Sequence, residues 1–179
     1  MTTPHDFVPV ALGEFRRLKQ LADKAVAQVS EQEFFQRDGT EDNSLAILYK
    51  HVSGNMRSRW SDFLTTDGEK PDRNRDSEFE LHEADSLESL KRNWESGWKT
   101  LFDALEGLEP DDIQRSVSIR GEGLSVLEAI ARQMTHYAYH VGQIVYLAKR
   151  FAGERWQTLS IAKGKSAAFN QSPEKYKQA

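Results

Sequence analysis

The chain has 179 residues, 38% hydrophobic and 29% charged, with a formal net charge of −4; this is the balance of a folded globular protein and argues against disorder. Its 24 Lys and Arg residues are spread along the sequence, whereas counterion release needs a concentrated basic surface, so no nucleic-acid partner is expected. The absence of cysteine excludes disulfides and thiolate ligands, and apolar stretches such as Ile144 to Ala148 are far too short to span a bilayer.

Met1-Thr2-Thr3-Pro4-His5-Asp6 lacks the basic start and apolar centre of a secretory signal, so a cytoplasmic location is expected. A first amphipathic helix is predicted from about Phe7 to Val29, with Ala11, Phe15, Leu18, Ala22, Ala25 and Val29 at steps of three and four. Ser30 to Asn43 reads as a polar connection with a turn at Asp38-Gly39. A second helix starts near Asn43 or Ser44, either of which can cap it, and carries the stripe Leu45, Leu48, Val52, Met56 and Phe63. Thr65 to Ala84 then forms a long polar segment containing Pro71. Loops of this length are crossovers or functional loops, and an extended one reaches about 60 Å, enough to run the height of a helix bundle.

Asp85 to Glu88 reads as a capping box for a third helix, whose buried face is Leu87, Leu90, Trp94, Trp98, Leu101, Leu105 and Leu108, ended by Gly107 and Pro110. Val117 and Ile119 alternate with polar residues in a short extended arm before Gly121-Glu122-Gly123. Ser125 to Glu128 is another capping box, opening the longest helix, with the seam Leu127, Ile130, Met134, Tyr137, Val141, Ile144 and Ala148 and an end before Gly153. Residues 154–179 read as a tail lying over the helices. The sum is one all-α domain, a four-helix bundle with a long crossover between its second and third helices and short accessory segments.

Three histidines fall inside predicted helices. His136 and His140 lie four apart, so their imidazoles project from one face, a spacing that lets two histidines bind one ion. His51 sits between Leu48 and Val52 on the core-facing side of the second helix. Each could instead be a core histidine with one hydrogen-bond partner. A metal would satisfy one nitrogen of each ring and leave the other to an outer acceptor.

The stretch Asn43-Ser44-Leu45-Ala46-Ile47-Leu48-Tyr49-Lys50-His51 and the H-x-x-x-H-x-G-Q element His136-Tyr137-Ala138-Tyr139-His140-Val141-Gly142-Gln143 resemble the DinB/YfiT-like metalloenzymes. Arg59-Trp60-Ser61-Asp62-Phe63-Leu64, Asp67-Gly68-Glu69-Lys70 and Arg73-Asn74-Arg75-Asp76 resemble the branch called domain of unknown function 1572. The likeness runs from about Phe7 to Asn170. It implies a single DinB-like four-helix-bundle domain over residues 1–179 (core about 7–153), a homodimer, and one divalent ion, zinc or nickel, on His51, His136 and His140. Some members of the wider family are transferases or isomerases that use a low-molecular-weight thiol. Because this chain has no cysteine, any such sulfur would come from the substrate.

Three neutral imidazoles leave a tetrahedral ion one free position for water or a small thiol, as in catalytic zinc sites. The leading expectation is a metal-dependent transferase or hydrolase acting on a small molecule. The competing one is a non-catalytic binding or sensing module whose ion braces the bundle, and a metal-free bundle with buried histidines is the third.

Other candidates are weaker. Gly164-Lys165-Ser166 resembles the end of a phosphate loop, but Leu159 stands where its first glycine belongs. Lys70, Arg73 and Arg75 could receive an anion or form a solvated polar loop. His5 and His82 read as surface residues, and three of Trp60, Trp94, Trp98 and Trp156 as core. Tyr49 and Tyr139 could bring hydroxyls toward the histidines, and Glu128 lies two turns before His136. No serine is tied to a histidine by spacing.

Overall fold

The computed structural model describes residues 7–171, and their fold is mostly helical. Helix α1 (Phe7–Val26) buries Ala11, Phe15, Leu18, Ala22 and Ala25 along one stripe. It ends short of Val29, which is packed against the core from the following turn. A short helix α2 (Glu31–Phe35) follows where a plain polar connection was expected. Ser30 and Glu33 close a capping box around it, and Phe34 is buried edge-on against Tyr49, with ring centroids 5.3 Å apart.

Helix α3 (Leu45–Trp60) starts at Ser44, whose hydroxyl accepts the Ile47 N–H at 3.2 Å. Thirteen of its sixteen residues are buried, so it is enclosed on nearly every side, and its polar side chains must find partners inside the protein. Its stop at Trp60 leaves Phe63 on the turn that follows rather than on the helix.

Residues 61–86 join α3 to α4 (Leu87–Glu106). A 3-10 turn within this connection, Asp76–Phe79, packs back on α3. The cap of α4 is Ser86 with Ser89, not Asp85 with Glu88. Asp85 instead accepts the Lys50 ammonium at 2.6 Å, tying the connection to α3, while Glu88 is left to pair with Arg92. Trp94, Trp98, Leu101 and Leu105 face the core, with Trp94 stacked on Tyr49 at 4.1 Å. Helix α3 approaches α4 closely at Gly97, where a Cβ would lie 2.9 Å from the Met56 methyl carbon and 3.4 Å from Ser53 Cα.

The extended arm is a hairpin of β1 (Ser116–Ile119) and β2 (Glu122–Ser125), registered Val117 opposite Leu124. Its turn is Arg120-Gly121, with φ of 57° and 75°, one step earlier than the Gly-Glu-Gly segment suggested. Two successive positive φ values match the twist of a tight hairpin turn. Asp67 fastens this turn by accepting the Arg120 and Gly121 amides, each at 2.8 Å, and the Ser118 hydroxyl at 2.5 Å.

Helix α5 (Val126–Ala152) opens with the Ser125/Glu128 box and ends at Gly153, φ 54°. It packs on α1 and touches α3, and α3 in turn packs on α4. The contact between α3 and α5 is pinned inside the core. Trp60 Nε1 donates to the Tyr137 hydroxyl at 3.0 Å, and that hydroxyl donates to Asn55 Oδ1 at 3.0 Å. Beyond α5, Trp156 and Leu159 pack on the core, and a short α6 (Ser166–Asn170) follows. Among the described residues, no helix is long and apolar enough to cross a membrane.

Candidate metal centre

The seam between α3 and α5 brings His51, His136 and His140 together, with one ring nitrogen from each within 4.8 Å of the others. Helical spacing does this for the pair: His136 Nε2 lies 3.1 Å from His140 Nε2. His51 arrives from the enclosed helix α3, its ring 4.8 Å from that of His140 and 5.5 Å from that of His136. His51 and His140 are buried and His136 is partly so.

The outer nitrogens decide which way the rings face chemically. His51 Nδ1 is 2.8 Å from Glu78 Oε2, and a carboxylate there requires Nδ1 to carry the proton, leaving the Nε2 lone pair for the interior. His140 Nδ1 is 2.8 Å from Gln143 Oε1, which fixes the same tautomer. Gln143 is oriented in turn by its amide, 3.4 Å from the Tyr139 hydroxyl. Two lone pairs are thereby aimed at one place beside His136 Nε2. Such a set needs a proton or a Lewis acid between its members.

The nitrogens of neighbouring tetrahedral zinc ligands lie about 3.3 Å apart, close to the 3.1 Å of the helical pair. Three imidazoles are donors of the type a divalent transition ion takes; the helical pair is at ligand spacing, and the full set is looser, with its nitrogens within 4.8 Å of one another. Among the described residues, three polar atoms at this site are buried without a hydrogen bond: His136 Nδ1, Gln133 Oε1 and Arg59 Nε.

Burial first, then the neighbouring His140, His51, Arg59 and Arg73, pushes His136 down to about 3. His140 is pushed down to about 4 by burial, opposed by Gln143 and assisted by His51 and Arg75. Neutral imidazole is the form a metal requires, so the protein favours it well below neutral pH.

Behind His51 stands a residue that sequence reasoning missed. Glu78 is buried and also accepts two hydrogen bonds from Arg73, at 2.8 and 2.9 Å. Burial would raise its carboxyl, but the hydrogen bonds from His51 and Arg73 hold it below the ordinary value. Arg73 also reaches Glu69, which further pairs with Arg59 and Arg120. One carboxylate among several in a polar segment gives no sign that it turns inward. The usable signal lay on the facing helix. Gly54, mid-helix in α3, has no room for a Cβ, which would fall 2.3 Å from Glu78 Oε1. Gly54→Ala should therefore destabilise the protein by about 1–3 kcal/mol as Glu78 is forced aside, although the exchange normally favours a helix. Urea unfolding of the two proteins checks the sign.

The histidines open on a cavity of about 440 Å³. Of the loop cations weighed above, Arg73 and Arg75 line it. Lys70 instead donates to the Asp67 carbonyl at 2.7 Å. Tyr139 also lines the cavity, whereas Tyr49 is buried against Trp94 and Phe34. Glu128 is committed to its cap, and its carboxylate sits on Ser125. Trp60, Trp94 and Trp98 are core residues, and His82 is exposed. His5 lies outside the described residues.

Fold and site together define a mostly helical protein in which three imidazoles from two helices converge beneath an open cavity. The chain belongs to the family described as Protein of unknown function (DUF1572), whose model matches residues 2–165. No curated protein matches it.

Proposed function

We propose that this protein is a divalent-metal-binding member of the wider DinB-like group that acts on a small molecule. In this reading the four long helices form a four-helix bundle, with residues 61–86 as the crossover, in a cytoplasmic and dimeric protein. His51, His136 and His140 would hold one ion, zinc or nickel. The supporting observation is the convergence of two lone pairs, set by Glu78 and Gln143, beside His136 Nε2.

The ion, when bound, would supply Lewis acidity to a small molecule entering the cavity. The protein's own share is better defined. Glu78 and Gln143 orient the imidazoles, and Arg73 keeps Glu78 ionised. The cavity walls shape what can approach. With three imidazoles and, among the described residues, no carboxylate lining the cavity, the set matches catalytic zinc sites, which use three protein ligands, better than structural sites, which use four. This favours an enzyme, by thiol transfer or hydrolysis, over a module whose ion only braces the fold. Zinc- and nickel-loaded protein should turn over at least one member of a panel pairing small thiols with electrophilic acceptors, alongside simple esters. Inactivity of both preparations, together with a large fall in melting temperature on chelation, would favour the bracing role.

A further inference from the structure

Among the described residues, the cavity above the histidines is lined by Arg59, Arg73, Arg75, Arg120 and Arg132 and by no acidic residue, in a chain whose net charge is −4. These five arginines are not equivalent. Arg59 and Arg73 are buried and occupied: Arg59 donates to the Gly68 carbonyl and Glu69, Arg73 to Glu69 and Glu78. They serve the support behind His51. The other three side chains are 50–57% exposed and retain unused N–H groups.

The Arg75 guanidinium makes no hydrogen bond among the described residues. It lies 4.9 Å over the Phe79 ring, and its nearest carboxylate, Asp76, is 3.9 Å away. Arg120 uses only Nε, on Glu69 at 3.1 Å, and Arg132 only Nη1, on Glu122 at 2.9 Å. Each comes from a different part of the chain, and each is held. Arg75 rests on an aromatic face. Arg120 sits at positive φ in a turn that Asp67 clamps through two backbone amides. Arg132 is tethered to β2 through Glu122.

We propose that Arg75, Arg120 and Arg132 form an oxyanion-recognition rim, and that the small molecule this cavity takes carries a carboxylate or phosphate group. Guanidinium forks match the planar and tetrahedral oxyanions of both groups, and held side chains lose little freedom on binding. A cavity of about 440 Å³ suits a metabolite-sized ligand. This deepens the proposed function by naming the substrate class, and it rests on that reading only for the ion at the cavity floor.

The test is calorimetric titration of succinate, inorganic phosphate and the neutral succinamide into zinc-loaded and metal-free protein, with Arg75→Gln, Arg120→Gln and Arg132→Gln beside wild type. Succinate or phosphate should bind and succinamide should not. Each substitution should weaken anion binding about tenfold without changing metal content. Preference for one anion assigns carboxylate or phosphate. Binding of neither anion, equal binding of succinamide, or affinity unchanged in all three variants would overturn the rim. Failure here with metal content intact leaves the metal reading standing. Anion binding to the metal-free protein that is lost in the variants upholds the rim even if no ion is found.

Discussion

Glu78→Ala should lower metal affinity by about 10- to 100-fold and cost the fold about 3–5 kcal/mol. Both losses come from one carboxylate doing two jobs. On one side it holds the His51 Nδ1 proton, so that Nε2 presents its lone pair. On the other it neutralises Arg73, whose side chain is only 3% exposed. Alanine would leave that guanidinium buried with only the longer contacts to Glu69, at 3.3 and 3.4 Å. It would also free His51 to rotate or change tautomer. Glu78→Gln separates the effects: shape is kept, but the amide NH2 must face one of two donors, so metal affinity should fall while stability falls less. Competition against a chelator and urea unfolding measure the two quantities independently. Wild-type affinity in Glu78→Ala would show that the Glu78 contact does not orient His51.

The second large effect is on pH. In the metal-free protein His136 and His140 titrate at about 3 and about 4, against 6.5 for an unperturbed histidine. Above pH 6.5 both are neutral whether the chain is folded or not, and their contribution to stability is fully present. As pH falls below 6.5 the unfolded chain takes up protons that the folded site refuses, so unfolding is increasingly favoured. The loss continues until the folded pKa values of about 4 and about 3 are passed. Glu69, Glu78 and Asp85, all held below their ordinary values, add acid sensitivity of the same sign, but only below the ordinary carboxylate range. The interval from about pH 6.5 to 5 therefore belongs to the histidines. Urea midpoints of metal-free protein should fall steadily across it, and a His136→Gln/His140→Gln double variant should be nearly flat there. A flat wild-type profile would mean that the pair is not buried neutral.

The long helices were legible because each writes its core face at steps of three and four. The Ser125/Glu128 box gave one start correctly, and of the two caps offered for α3, Asn43 and Ser44, the structure uses Ser44. The same rule misplaced the start of α4, because Asp85 and Ser86 are both good caps and the Asp85 carboxylate is taken up by the His82 N–H and the Lys50 ammonium. Helix α2 was missed despite its own Ser30/Glu33 box, since five residues show too little periodicity. His136 and His140 could be paired from local spacing. His51 needed the resemblance, because nothing local says which turn of α3 meets α5. Gln143 meets His140 by local spacing on α5, whereas Glu78 and the arginine rim depend on how residues 61–86 and the hairpin fold back over the helices. That is set by contacts such as Asp67 with Arg120, 53 positions apart, which leave no periodic trace.

The most direct test is elemental analysis of protein purified without chelators, beside His51→Ala and His140→Ala variants shown by circular dichroism to be folded. The wild type should carry about one zinc or nickel ion per chain and each variant close to none. A wild type free of transition metal, or either variant keeping its ion in full, would contradict the proposed centre.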